Sequence, residues 1–184
     1  MKITEVKLRK LTGTMETKGQ FWEDRLVQPI DVYPEYRQRG PAGWTQQRDA
    51  THYTIVAHFV EIRTDEGVTG IGGPITDGQA FIIAKTIAPI ITGKDPLATE
   101  LIWDQVHRLM VHGRQGEPMM AFSAIDCALW DLKGRYFKAP VYKVLGGPTR
   151  SEVPAYSSML GWSVTDLGLV RERAKAAKAE GYTA

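Results

Sequence analysis

The chain has 184 residues, 43% of them hydrophobic and 24% charged, with a formal net charge of +2 and a sequence pI near 8.6. Mild basic charge scattered along the chain argues against a nucleic-acid surface, and the single cysteine excludes an internal disulfide and any cysteine-based zinc site. The opening MKITEVKLRKLTG has no apolar signal core and no apolar run approaches the ~20 residues of a membrane helix, so no membrane partner and a reducing, cytoplasmic setting are expected.

Residues 3–11 alternate apolar and polar, with Ile3, Val6, Leu8 and Leu11 fitting an imperfect strand. Residues 13–51 lack a sustained period and are rich in Pro, Gly, Arg and aromatics. Disordered segments are poor in aromatics. Phe21, Trp22, Tyr33, Tyr36 and Trp44 therefore mark an ordered loop, and long ordered loops are usually functional. Residues 53–75 predict a hairpin turning at Asp65-Glu66-Gly67, with Val56, His58, Val60 and Ile62 on one face. His58 lacks a partner at metal spacing and reads as structural.

Residues 78–92 predict a helix with Pro89 near its end, and Leu97–Val111 a second, striped by Leu101, Ile102, Val106, Leu109 and Met110. The run SAIDCALWDLKGRYFKAPVYKVLGG continues a third helix. Its apolar stripe is Ala121, Ile125, Ala128, Leu129, Leu132 and Tyr136. Asp126 and Asp131 are five residues apart, about 140° around a helix, a poor arrangement for gripping one metal or sharing one proton. Asp131 and Arg135 are positioned to pair on the surface. Cys127 flanks the stripe and reads as a small buried hydrophobe. Past Gly146-Gly147-Pro148, residues 153–160 predict a buried strand. Ser163 to Asp166 would cap a last helix lined by Leu167, Val170, Ala174 and Ala177, with Gly181 at its end.

No complete active site emerges from these residues. There is no H-E-x-x-H, P-loop or G-x-S-x-G, and Gly70-Ile71-Gly72-Gly73-Pro74-Ile75 misses the last glycine of a dinucleotide fingerprint.

The order of hairpin, helices, ALWDLKG with a following P-V-Y and L-G-G, then a βα unit, resembles the N-terminal part of the enolase superfamily, in its mandelate racemase/muconate-lactonising group. The matching residues include Ala124, Asp126, Ala128 to Gly134, Pro140 to Tyr142, and Leu145 to Gly147. The resemblance implies an α+β capping domain, an antiparallel sheet plus helices over 1–148 with 13–51 as a long specificity loop. Residues 149–184 would then begin a TIM-type barrel, incomplete in this chain, with its first strand and helix. It also implies proton abstraction beside a carboxylate, with Mg²⁺ stabilising the enediolate. The catalytic lysines and the metal carboxylates are expected beyond Ala184, so no catalytic or metal-binding residue is expected in 1–184.

The loop itself, with Trp22-Glu23-Asp24-Arg25, Tyr33, Tyr36-Arg37 and Arg39, is similar to that of L-rhamnonate dehydratase-like acid-sugar dehydratases. Arginine offers a planar fork to carboxylates, and aromatic faces stack on the C–H side of a sugar. The expected substrate-binding residues are Trp22, Tyr33, Arg37 and Arg39, facing Ser157, Ser158 and Met159 at the C-terminal end of the first barrel strand. The implied partners are a small acid sugar, the remainder of the barrel in the same or a second chain, and further copies in a homo-oligomer. The competing expectation is a non-catalytic cap that acts only with a partner chain.

Overall fold

The computed structural model describes residues 1–17, 29–37, 45–158 and 167–183. They pack as two compact units, one of residues 1–12 and 56–149, the other of 13–55 and 150–184.

Four strands form one antiparallel sheet around β3 (His52–Thr64). Along β1 (Ile3–Glu16), the Asp65 N–H donates to the Lys2 carbonyl and the Thr4 hydroxyl to the Arg63 carbonyl, so the two strands run in opposite directions. β2 (Thr45–Gln47) pairs with β3 from Thr45↔Ile55 to Gln47↔Tyr53. β4 (Thr69–Ile75) returns through the predicted turn and pairs from Arg63↔Thr69 to His58↔Ile75, with a register shift between His58 and Val60. Alternation along β3 puts Val60, Ile62 and Thr64 on the buried face. β1 outlasts its apolar pattern: the Thr17 N–H donates to the Thr51 carbonyl at 2.8 Å, so backbone pairing extends the strand where burial does not.

The helices cover the buried face. α1 (Asp77–Ile82) opens with a capping box in which the Thr76 hydroxyl accepts the Gln79 N–H and the Gln79 side chain accepts the Thr76 N–H. It runs through a widened π-type turn (Ile83–Ile87) into α2 (Ala88–Ile91). Pro89 has no N–H to bond one turn back, so the regular ladder cannot continue through it. α3 (Thr99–Leu109) buries Ile102 and Val106, while the predicted stripe members Leu101 and Leu109 are exposed. α4 (Glu117–Phe137) buries Ala121, Ile125, Ala128, Leu129 and Leu132 as its spacing requires. Two expectations for α4 fail. Tyr136 is 41% exposed in the last turn, edge-on to Phe137. Cys127 is exposed, because it lies about 200° around the helix from Ile125, off the stripe.

β4 meets α4 at two glycines. A Cβ on Gly70 would lie 2.0 Å from the Ala128 carbonyl oxygen, and one on Gly72 would lie 2.0 Å from that of Ala124. The glycines that fail as a nucleotide motif serve instead to let a helix backbone close on a strand. α4 ends at Lys138, in the left-handed region at φ 53°, and α5 (Val141–Val144) follows.

The predicted strand over 153–160 is not formed in its described part. Residues 152–158 carry no strand, and Val153 and Tyr156 are 80% and 72% exposed. An apolar strand of a parallel sheet takes its backbone bonds and its cover from neighbouring strands, and among the described residues none pairs with this segment. α6 (Leu167–Ala179) does form. Gly181, at φ 97°, ends it, with the Gly181 and Tyr182 N–H groups donating to the Lys178 and Ala177 carbonyls. The expected cap at 163–166 lies outside the described residues.

Candidate functional site

Of the seven expected substrate-binding residues, Trp22, Arg39 and Met159 lie outside the described residues. Tyr33, Arg37, Ser157 and Ser158 all fall in the second unit. Two short 3₁₀ turns, Pro29–Val32 and Pro34–Tyr36, carry the first pair. Each turn begins with proline, whose fixed φ suits an opening position and whose missing N–H leaves no donor stranded there. The Tyr33 N–H donates to the Ile30 carbonyl at 3.0 Å and the Tyr36 N–H to that of Tyr33 at 3.1 Å. The Tyr33 and Tyr36 rings meet edge to face, with centroids 6.4 Å apart.

Arg37 closes the second turn. Its main-chain N–H donates to the Pro34 carbonyl at 3.2 Å, and its side-chain Nε donates to the Asp31 carbonyl at 2.9 Å. That second bond was not legible beforehand, since it depends on two consecutive tight turns folding residue 37 back over residue 31. Ser157 is half-buried and Ser158 exposed, both in irregular chain rather than at a strand end.

Close to β2, the Asp49 carboxylate gathers the Thr51 and His52 main-chain N–H groups and the His52 ring Nδ1, each at 2.9 Å on Oδ1. These bonds, the Thr51 N–H foremost, hold its pKa at about 2. This is a turn lock, with every donor local in sequence. The His58 ring Nδ1 lies 3.5 Å from a carboxylate oxygen of Asp77. Asp126 has its carboxyl pushed upward, chiefly by burial and further by Glu100. A shallow open groove lined by Arg135, Lys138 and Val141 runs past the end of α4 and contains the Asp131–Arg135 ion pair at 2.9 Å. Among the described residues no three His, Cys, Asp or Glu side chains come together as a metal site, and no helix is long and apolar enough to cross a membrane.

An antiparallel sheet with a helical layer closed over glycine-bearing β4, followed by a short GG-Pro connection, defines a capping domain of the enolase kind. Residues 43–146 match the family described as mandelate racemase / muconate lactonizing enzyme, N-terminal domain. The chain belongs to that family, within the enolase superfamily. Among curated relatives it is 32% identical over 167 residues to an L-rhamnonate dehydratase of Saccharopolyspora erythraea, covering 86% of this chain and 40% of that protein. Among solved structures, an enolase-superfamily member from Polaromonas sp. JS666 superposes with a TM-score of 0.66 at 28% identity, over 99% of this chain and 43% of the other. A mandelate racemase/muconate lactonizing protein from Paracoccus denitrificans PD1222, complexed with magnesium, gives 0.58 at 34% identity, over 70% of this chain and 37% of that one. The chain thus spans well under half the length of each.

Proposed function

We propose that this chain is the capping part of an enzyme that removes the proton α to the carboxylate of an acid sugar and expels the β-hydroxyl as water, or epimerises the same centre. Residues 13–51 shape its substrate pocket. The supporting observation is the 32% identity to an L-rhamnonate dehydratase across 167 residues, which takes in most of this chain. The grouping of 13–55 with 150–184 in one compact unit agrees with it, because a pocket-shaping loop belongs beside the start of a barrel. Tyr33 and Arg37, with Trp22 and Arg39, are the side chains that would meet the sugar. Ser157, Ser158 and Met159 would sit at the mouth of the barrel once neighbouring strands pair with this segment.

Magnesium accompanies the Paracoccus protein. The described residues here offer no ligand set for it. A second reading, a cap that acts only as a partner for another chain, draws on the exposed Val153 and Tyr156.

The test is an assay of the complete enzyme, with the barrel joined or supplied, against a panel of acid sugars, reading 2-keto-3-deoxy acid and the epimer. At least one substrate is turned over, and Arg37→Ala and Arg39→Ala each lower its kcat/KM by about 10- to 150-fold. No turnover across the panel would favour the non-catalytic cap. Turnover with both variants at wild-type kcat/KM would make the loop a structural cover.

A further inference from the structure

We infer that the outward stripe of Leu101, Gln105 and Leu109 on α3 is a self-association surface, on which a second copy of this chain packs its own α3 antiparallel about a twofold axis through Gln105.

α3 has one more apolar face than its own fold uses. Ile102 and Val106 are buried and join the core, as the inward face of a helix must. Leu101 and Leu109 are apolar too, yet they are 55% and 46% exposed. With Gln105 between them they step four residues at a time, so the three side chains drift only about 80° around the helix and make one continuous stripe. At its centre, Oε1 of Gln105 is covered and has no hydrogen-bond donor. A buried acceptor without a donor is costly, and folded proteins leave few of them unpaired.

Two features define what this stripe fits. The first is its order, which reads Leu, Gln, Leu in both directions from Gln105. When two copies of one helix pack antiparallel about a twofold axis, residues equally far before and after the centre lie opposite each other. Leu101 then meets the partner's Leu109, Leu109 meets the partner's Leu101, and Gln105 meets itself. A primary amide carries both donors and an acceptor. Each Nε2–H donates to the Oε1 of the other copy once the flexible side chain turns its amide outward, which supplies the missing donor on both sides.

The second feature is charge. Asp104 and Arg108 stand on one flank of the stripe, with Arg108 Nε donating to Asp104 Oδ2 at 2.8 Å. In the antiparallel pair the two flanks run side by side with their charges in opposite order, so each Asp104 lies about 3 Å along the axis from the partner's Arg108. The result is a four-charge cluster of alternating sign, complementary to itself. Because the two charges of one flank cancel, the surface does not select a strongly acidic or basic partner. α3 is about 16 Å long, so the contact is small, and reversible micromolar association is expected rather than a permanent dimer.

The test is sedimentation velocity of the complete protein from about 1 to about 300 µM, joined to cross-linking with a short bismaleimide. Wild type shows a concentration-dependent association step, and Leu101→Asp raises its dissociation constant about 10-fold or more. Arg108→Asp weakens it as well, and the double swap Asp104→Arg with Arg108→Asp restores it, since every opposite-charge contact returns. Circular dichroism checks the fold of each variant, which is expected to survive because Leu101 and Arg108 are exposed in a single copy. In a Cys127→Ser background, Gln105→Cys is captured as a covalent dimer, while Ser123→Cys on α4 is not. Association unchanged in Leu101→Asp, or Gln105→Cys that links no more than Ser123→Cys, overturns the inference. A wild type with no association step over this range also overturns it, leaving the stripe to a different occupant.

Discussion

The carboxylate of Asp131, on α4, accepts the main-chain N–H of Ile71, on β4, at 2.9 Å across sixty residues of sequence. The same Oδ2 accepts Nε of Arg135 at 2.9 Å. Ile71 lies opposite Glu61 of β3, and a strand's N–H groups alternate between its two edges, so a side chain here takes the place of a further strand. Asp131 thereby couples the helix that carries the family motif to the strand beneath it.

Replacing Asp131 tests that coupling. Asp131→Ala removes a charged acceptor from a backbone donor and breaks the Arg135 pair, and a loss of about 1–2 kcal/mol is expected, tempered by partial exposure. Asp131→Asn keeps an acceptor and should lose about half as much. Urea midpoints at constant slope read the difference. Identical midpoints for wild type and Asp131→Ala would show that water replaces the carboxylate without cost.

Gly72 and Gly67 make a contrasting pair. At Gly72 a methyl group would collide with the Ala124 carbonyl oxygen, which is backbone and cannot swing aside. Gly72→Ala should cost about 3 kcal/mol or more, since α4 must lift off the sheet. Gly67 sits at φ 78° in open space, so Gly67→Ala brings only backbone strain, about 1 kcal/mol. Thermal melts of the two variants should rank them in that order, and comparable melting points would refute the close-approach account.

Acid should weaken the sheet through Glu61. Its carboxylate accepts bonds from Arg9 and Arg63, and these hold its pKa at about 2 against an ordinary value of 4.5. A depressed folded pKa contributes stability that is complete above the unfolded pKa and disappears as pH falls through the folded one. The loss attributable to Glu61 therefore falls between about pH 4.5 and about pH 2. Asp49, also held at about 2, adds to the same window from 3.8 downward. Unfolding midpoints followed from about pH 6 to about pH 2.5 should drop less steeply in Glu61→Gln than in wild type. Parallel curves would assign the acid sensitivity to other carboxylates.

The hairpin, α3 and the α4 stripe were legible because burial on one face imposes a period, and Val60, Ile62, Ile102, Val106, Ile125 and Leu132 all obey it. Asp131–Arg135 was legible for the same local reason, four residues on one helix. What escaped depends on contacts distant in sequence or on backbone geometry. The Asp131 bond to Ile71 has no periodic signature, and Gly70 and Gly72 show their purpose only once α4 lies across them. Cys127 and Tyr136 were assigned by composition and by extending a stripe one turn too far. Residues 153–158 read as a strand because apolar pattern records the environment a segment is suited to, and in this structure Val153 and Tyr156 have no such environment. For the candidate site, residue types pointed to Tyr33 and Arg37, and only the fold supplied the Asp31 carbonyl that restrains Arg37.

The proposed reaction begins by removing the proton α to a sugar carboxylate. The most direct measurement is turnover of the best acid sugar by the complete enzyme in D₂O, with NMR of recovered substrate and product. Loss of the α-proton and of the β-hydroxyl leaves an enol that takes a solvent proton at C3, so a dehydration product carries deuterium there, whereas epimerisation leaves deuterium at C2. Deuterium at either carbon is the predicted result. Product formed with no solvent deuterium at C2 or C3 would contradict α-proton abstraction and with it the functional account.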